Sequence, residues 1–204
     1  MPKITKISQQ KNKNRVNIYL DHKFSFGLDL ENFLKHNLKV EQDLSDVEIE
    51  QIKSKGDLAK LTEKIIKFAY TRPRSRWEIE DWFYRKNVNE DLRPKLVKKL
   101  EKLDLLNDQK FAAWWIRQRT EFRPRSVREL NAELIKKRVD KNIIKNALKN
   151  ADLDEVLLAK RILKKRDYKW KRIKDKKQRF QKMAQYLLLK GYSWDVIKKV
   201  VLID

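Results

Sequence analysis

The apolar residues near the N-terminus have the spacing of β-strands. Val16–Leu20 carries an apolar side chain at every second position, and the β-branched run Ile4–Ile7 precedes it across a polar turn. A third run, Phe24–Gly27, follows the turn residues Asp21–Lys23. Alternation of this kind buries one face of a strand, and short polar connections favour antiparallel pairing. The pattern predicts a small sheet of three antiparallel strands.

Helical patterns follow the third strand. Asp29–Leu38 is predicted to form a short helix. Ser45 lies three residues before Glu48, the spacing of a capping box, and opens a second helix that is predicted to run through Ile52. We expect the N-terminal module to end near Gly56.

From Asp57 onward the apolar period is 3.6, which predicts a series of helices. The first has its apolar face on residues 58–68 and must end before Pro73, because the residue before a proline disfavours helical dihedral angles. Predicted N-caps open the later helices: Ser75, Asn107 or Asp108, Ser126 and Asp154. Ser75 and Ser126 each precede a Glu by three residues, which predicts two further capping boxes.

One four-residue string repeats within this helical part. Arg72–Ser75 and Arg123–Ser126 both read Arg-Pro-Arg-Ser, 51 residues apart, and the pattern after the first string recurs in register after the second. A weaker third copy fits residues 180–196 at a further shift of about 53. Gly191 in that copy is predicted to close a helix in the left-handed conformation.

The predicted fold is mainly α. Three tandem three-helix-bundle repeats are expected to form an elongated curved array, preceded by a small N-terminal β-sheet module with short helices. The predicted boundaries are 1–56 for the N-terminal module and 57–106, 107–152 and 153–204 for the three repeats.

The charge of the chain narrows the class of partner. The formal net charge is +22, and residues 160–182 hold thirteen Lys and Arg against two Asp. Residues 1–56 are almost balanced, with ten basic and eight acidic side chains. An excess of this size favours a polyanionic partner such as nucleic acid or a nucleoprotein.

Other classes of protein find little support. The chain contains no Cys, which excludes disulfides and thiolate catalysis, and the N-terminus has no apolar signal region. No stretch approaches the roughly 20 apolar residues of a membrane span, so we expect a cytoplasmic protein that does not bind membranes. Glu78, Glu80 and Asp81 are close in sequence, but helical geometry favours an ion pair of Asp81 with Arg85 over a metal site. We expect no catalytic residues, cofactor or metal.

Basic and aromatic side chains leave two interpretations open. The arginines of each Arg-Pro-Arg-Ser turn adjoin a helix N-terminus and could bind anions there, or Pro and Ser could simply end one helix and cap the next. Trp82 and Trp115 fall on predicted buried stripes, whereas Trp77 and Trp114 do not. Trp170 lies among lysines and arginines and is the best candidate for an exposed aromatic that stacks on bases.

These features resemble the RecX family, bacterial regulators of the recombinase RecA. Leu105–Ala112 resembles the family's most recognisable string, at the junction of its first two repeats, and Arg117, Arg119 and Arg123-Pro124 follow as in that pattern. The N-terminal strands are similar to the extension of RecX proteins of Gram-positive type. Arg138 is a departure, since the family tends to have Gly there.

The resemblance implies a monomeric, non-enzymatic protein that binds the RecA filament on single-stranded DNA. It would restrain the recombinase, ATPase and co-protease activities of RecA in DNA repair, recombination and the SOS response. Double-stranded DNA is a further possible ligand. The residues expected to contact RecA or DNA are Arg72, Arg74, Arg117, Arg119, Arg123, Arg125, Arg128, Lys164, Lys165, Lys169, Trp170, Arg172 and Lys176.

Two alternatives remain at the level of sequence. The charge alone would suit a nucleic-acid-binding helical repeat protein that has no recombinase partner. Three-helix units also occur in helix-turn-helix transcription factors, which insert one helix into the major groove.

Overall fold

The computed structural model describes residues 1–201. They form a mainly helical protein with one small sheet, as the sequence predicts. The chain divides into two compact units. The first comprises Met1–Thr71 and Asn89–Lys102, and the second comprises Arg72–Val88 and the chain from Leu103 onward. The four boundaries predicted from the sequence remain predictions.

The sheet consists of β1 (Ile4–Gln9), β2 (Arg15–Leu20) and β3 (Lys23–Asp29), antiparallel and in that order. Asp21 and His22 both have positive φ, as a two-residue turn that matches the twist of the strands requires. The three-stranded prediction is confirmed. One face of the sheet contributes Ile18, Leu28 and other apolar residues to a core that also includes residues from the following helices.

Helix α1 (Leu30–Lys35) is short, and helix α2 (Asp46–Tyr70) is the longest in the first unit. Ser45 caps α2 in the predicted capping box with Glu48. The predicted end of this helix at Ile52 is wrong, because α2 continues through Gly56 to Tyr70. A Cβ at position 56 would lie 2.8 Å from Cδ1 of Leu28, so this glycine permits close packing of α2 on β3 and does not form a turn.

The remaining helices lie after the first Arg-Pro-Arg-Ser string. A 3₁₀ turn at Glu90–Leu92 precedes α4 (Arg93–Lys102), whose second residue is a proline without an amide hydrogen. The helices that follow this string are α3 (Arg76–Arg85), α4 (Arg93–Lys102), α5 (Asp108–Phe122), α6 (Val127–Lys136), α7 (Lys141–Asn150), α8 (Glu155–Lys164), α9 (Asp167–Trp170), α10 (Lys176–Leu189) and α11 (Trp194–Val201).

Most of the predicted caps are confirmed. Ser75, Asn107 and Asp154 each accept a hydrogen bond from the first turn of the helix they precede. Ser126 also caps its helix, but the second half of its predicted box is absent from the described bonds, since Glu129 Oε1 accepts a bond from Arg125 Nη1 at 2.7 Å.

Left-handed residues mark the end of the middle helix in each repeat. Asn87, Arg138 and Gly191 have φ values of 48°, 52° and 78°. They are spaced by 51 and 53 residues, which confirms the register inferred from sequence. The predicted left-handed conformation of Gly191 is confirmed.

The second and third repeats have separate apolar cores. The core of the second repeat includes Phe111, Ile116, Leu130 and Leu134. The core of the third repeat includes Leu158, Leu163, Leu187 and Ile197. Helix α2 packs on β3 and on α4 within the first unit.

Candidate partner interface

The first Arg-Pro-Arg-Ser turn holds a buried ion-pair network. The guanidinium of Arg72 donates two bonds of 2.9 Å to the two carboxylate oxygens of Glu78, the third residue of α3. Nζ of Lys137, from the second repeat, donates to the same carboxylate at 2.8 Å. Arg72 is therefore a structural residue in this turn, because its guanidinium is bound to a carboxylate of the same chain.

The environment of Glu78 favours its ionised form. Burial alone raises the pKa, but the hydrogen bonds and charges of Arg72 and Lys137 outweigh burial and lower it from 4.5 to about 2. Arg74, the other arginine of the turn, is half-buried. Burial and then the charge of Arg72 lower the pKa of Arg74.

The helix N-termini at both Arg-Pro-Arg-Ser turns are occupied by carboxylates of the following repeat. Asp108 Oδ1 accepts a bond from the backbone N–H of Arg76 at 2.8 Å. In the second copy, Glu155 Oε1 accepts from the N–H of Val127 at 2.8 Å. The predicted anion preference of these helix ends is thus satisfied inside the molecule, and the turns connect successive repeats.

The junction of the second and third repeats has additional contacts. The hydroxyl of Ser126 donates to the carbonyl oxygen of Lys190 at 2.8 Å. A Cβ at Gly191 would lie 2.8 Å from Ser126 Oγ, so the glycine is required for this approach. Tyr192 is buried beside it, and burial with the charges of Glu155 and Glu129 raises the pKa of its hydroxyl.

Arg119 and Arg125 are also engaged within the chain. Nε of Arg119 lies 2.7 Å from Glu133 Oε2, and its guanidinium lies 4.4 Å from the ring centre of Trp115. Arg125 pairs with Glu129. All these side chains are half-buried, so both arginines stabilise the second repeat.

The C-terminal end of α5 is bound by one cation from α8 and by the residue that follows α8. Arg161 donates to the carbonyl oxygens of Thr120 and Glu121, and Lys165 donates to that of Phe122 at 2.8 Å. Carbonyl groups at a helix end lack intrahelical donors and carry partial negative charge. Lys165 therefore joins the second and third repeats.

Trp170 is not the exposed aromatic that the sequence suggests. Its indole N–H donates to the carbonyl of Leu163 at 3.1 Å, and its ring packs on the third core with the ring centre of Tyr186 5.7 Å away. The exposed ring in this segment is Tyr168, flanked by Lys169 and Arg172. The charged residues around Trp170 and Tyr168 in the sequence do not indicate which of the two rings packs on the core.

A groove in the third repeat gathers part of the predicted set. Its volume is about 750 Å³, and Leu163, Trp170 and Met183 are among the apolar residues that line it. Its charged residues are Lys160, Lys164, Lys171, Lys176, Arg179 and Asp167. We call it the third-repeat groove. Of the residues that the sequence predicts to contact RecA or DNA, Lys164, Trp170 and Lys176 line this groove.

The other predicted cations are distributed over the surface. Arg117, Arg123 and Arg128 are exposed. Arg123 lines a small aromatic pocket in the second repeat together with Trp114, Trp115 and Phe122 among others. Phe122 is 64% exposed, while Trp82 is buried as predicted. Arginine beside exposed aromatic surface is typical of the residues that dominate protein interfaces.

The remaining features to compare with the sequence are one surface ion pair, metal-binding clusters and membrane spans. Asp81 pairs with Arg85 at 2.8 Å, as expected from the sequence. Across residues 1–201, the structure brings together no cluster of three or more His, Asp or Glu side chains suited to a metal ion. Every helix in the same range is too short or too polar to span a bilayer.

Three family models match the chain in the order of its structure. They describe the Regulatory protein RecX N-terminal domain at residues 2–45, the second three-helix domain of RecX at 107–148, and the third three-helix domain of RecX at 154–201. A Regulatory protein RecX from Bacillus licheniformis is 33% identical over 207 residues, 97% of this chain and 75% of the relative. The chain belongs to the RecX family.

Further RecX proteins agree with this assignment. The one from Bacillus subtilis is 34% identical over 97% of this chain and 75% of its own length, and the one from Clostridium perfringens is 30% identical over 98% and 95%. A crystal structure of regulatory protein RecX matches with a TM-score of 0.69 at 25% identity, covering 98% of both chains. RecX from Lactobacillus salivarius matches with a TM-score of 0.61 at 26% identity, over 72% of this chain and 95% of that one.

Proposed function

We propose that this RecX-family protein binds the RecA filament on single-stranded DNA and restrains the filament's recombinase, ATPase and co-protease activities. Membership of a family of regulatory proteins is the observation that carries the proposal. The protein would act as a monomer, by binding and without catalysis of its own, in the cytoplasm during DNA repair, recombination and the SOS response. Its net charge of +22 suits a partner that offers DNA phosphate together with acidic protein surface.

The proposed contact surface contains fewer residues than the set that the sequence predicts to contact RecA or DNA. Arg72, Arg119, Arg125 and Lys165 have partners within the chain, so their loss would act first on stability. The exposed cations remain as contacts for the filament: Arg117, Arg123, Arg128, Lys164, Lys169, Arg172 and Lys176.

The third-repeat groove is the centre of this proposed surface. Five cations and one carboxylate line it, and Asp167 is paired with Lys171 at 2.6 Å. The apolar floor would bury part of a partner side chain or base while the cations contact phosphate or carboxylate. A groove that is both apolar and positively charged suits a nucleoprotein better than a polyanion without protein.

Binding to RecA filaments and to naked single-stranded DNA at matched salt tests the proposal. We expect tighter binding to the filament, with a component that persists as salt is raised. Binding to phosphate alone loses affinity steeply with salt, by a slope of about 0.7 per contacted phosphate on a log–log plot for single strands. Equal affinities and equal slopes would favour a nucleic-acid-binding repeat protein without a recombinase partner.

Charge-reversal variants locate the surface. Lys164→Glu/Lys176→Glu and Arg117→Glu/Arg123→Glu should each weaken filament binding by about tenfold or more, since each removes two contacts and adds repulsion. Lys98→Glu/Lys99→Glu changes the net charge equally on exposed positions of α4 and should have little effect. If all three variants weaken binding alike, general charge accounts for it and the proposed surface is wrong.

A further inference from the structure

The N-terminal module has a groove of its own, between the sheet and α2. Its volume is about 660 Å³. Phe24–Gly27 of β3 and Arg15 of β2 line one side, and residues of α2 from Lys53 to Lys67 line the other. All of them lie within the first compact unit. We call it the N-terminal groove.

Lysines of α2 supply the charge of this groove. Lys53, Lys60, Lys64 and Lys67 follow one another at intervals of seven, four and three residues, which places them on one face of a continuous helix. Lys60, Lys64 and Lys67 are exposed, and no carboxylate among residues 1–201 lies within ion-pair distance of them. Their charges are available to a ligand.

The charge balance of the groove is positive. The four lysines and Arg15 face the carboxylates of Asp57 and Glu63, which leaves five positive charges against two negative ones, a net of +3. The sequence did not predict this site, because residues 1–56 have nearly equal numbers of basic and acidic side chains. A boundary at Gly56 also separates three of the lysines from the sheet that they face. The continuity of α2 brings them together.

An exposed aromatic residue, Phe24, lines the same groove. Phe24 is 60% exposed, at the start of the edge strand β3, and its ring is held edge-on against Tyr19 with 5.9 Å between ring centres. Lys53 Nζ lies 5.9 Å from the ring centre of Phe26. An exposed ring that is fixed by a neighbour offers a flat face for stacking at little cost in side-chain entropy.

We propose that the N-terminal groove binds a single-stranded nucleic acid segment, with phosphates on the α2 lysines and a base on Phe24. A row of cations beside a stacking ring is how proteins hold single strands without reading their sequence. Lys53 to Lys67 spans about 21 Å of helix, enough for roughly four nucleotides. An acidic peptide would satisfy the lysines but has no base to stack on Phe24.

This site goes beyond the proposed regulation of RecA and does not depend on it. The filament proposal rests on the second unit, whereas the N-terminal groove belongs to the first. Binding of nucleic acid to the N-terminal groove is measurable on the protein alone, in the absence of any recombinase. Failure of either proposal therefore leaves the other standing.

Fluorescence anisotropy with a labelled ten-nucleotide oligo-dT tests the phosphate contacts in the full chain. Lys60→Glu/Lys64→Glu is compared with Lys98→Glu/Lys99→Glu, and each pair lowers the net charge by 4, from +22 to +18. Both pairs are also placed in a Lys164→Glu/Lys176→Glu background, so that the third-repeat groove contributes less. We expect the α2 pair to weaken binding about tenfold and to reduce the salt slope by about 1.4, with little effect of the α4 pair.

Phe24 variants test the stacking contact. Phe24→Ala should weaken binding about fivefold or more, and Phe24→Tyr, which keeps an aromatic face, should not. Circular dichroism melts confirm that each variant is folded. Equal loss in the α2 and α4 pairs, or full binding by Phe24→Ala together with displacement of the oligonucleotide by poly-glutamate, would overturn the assignment.

Discussion

Glu78 shows how a single residue can connect two repeats. Its carboxylate accepts a hydrogen bond from the backbone N–H of Ser75, the N-cap of α3. The same carboxylate accepts bonds from Arg72, in the turn before α3, and from Lys137 in the next repeat. Its side chain is 8% exposed, whereas those of Arg72 and Lys137 are half-buried. Removal of Glu78 would leave the charges of Arg72 and Lys137 without compensation.

Glu78→Gln should therefore destabilise the protein by roughly 3 kcal/mol at pH 7, the free energy that corresponds to a shift of the pKa from 4.5 to about 2. Urea unfolding measures this. Glu80→Gln, two residues along on the exposed side of α3, is the matched control and should change the stability little.

The same carboxylate predicts a pH dependence. Its folded pKa lies below the ordinary value, so its contribution is full above about pH 4.5 and is lost as the pH falls through about 2. The difference in stability between wild type and Glu78→Gln should shrink over this window. A difference that stays constant from pH 6 to pH 2 would show that the carboxylate charge is not what holds the network.

Equivalent positions in a repeat need not have equivalent roles. Arg72 and Arg123 occupy the same place in the two Arg-Pro-Arg-Ser strings, yet Arg72 pairs with Glu78 while Arg123 is exposed. Sequence identified both strings and the caps that follow them. It could not distinguish the two arginines, because Glu78 and the equivalent Glu129 follow both strings. Only the direction in which each side chain turns decides that Glu78 pairs with Arg72 and Glu129 with Arg125.

Among the elements, α2 differs most from its prediction. The sequence placed a boundary near Gly56 because the apolar pattern changes there. A glycine within a helix also lowers its stability. The cost of that glycine is offset by packing, since β3 approaches so closely that a side chain would collide with Leu28. Tertiary contacts of this kind are not visible in local propensity. The consequence is a helix whose lysines reach the sheet.

Proline substitutions distinguish one helix from two. If α2 is continuous, Asp57→Pro lies in its interior and should cost about 3 kcal/mol or more, because it removes a hydrogen bond and clashes with the preceding turn. Asp46→Pro, at the first position of α2, should be tolerated. Thermal unfolding measures both. Tolerance of proline at position 57 would indicate that a separate helix begins there.

The left-handed turns allow a second test at this scale. Gly191→Ala should destabilise the protein by about 2 kcal/mol, because the methyl group meets Ser126 Oγ and the backbone is left-handed. Arg138→Ala, at the equivalent turn, already has a Cβ in that conformation and should cost less than about 1 kcal/mol. Similar losses at both positions would mean that the Ser126 contact does not constrain the junction.

At the scale of the whole molecule, the three-strand sheet, the tandem repeats and the family were all accessible from sequence. They follow from periodicities and caps that act over short distances, and from motifs such as Leu105–Ala112. The binding surfaces were less accessible. Net charge indicated the class of partner, but only the folded chain separates cations that join repeats, such as Arg119 and Lys165, from those that line grooves, such as Lys164.

The ATPase activity of RecA on single-stranded DNA tests the central claim most directly. Addition of this protein in stoichiometric amounts should lower the rate of ATP hydrolysis severalfold. Lys164→Glu/Lys176→Glu should lose most of that effect, while Lys98→Glu/Lys99→Glu keeps it. An unchanged ATPase rate at a stoichiometric excess of folded wild-type protein would contradict the account.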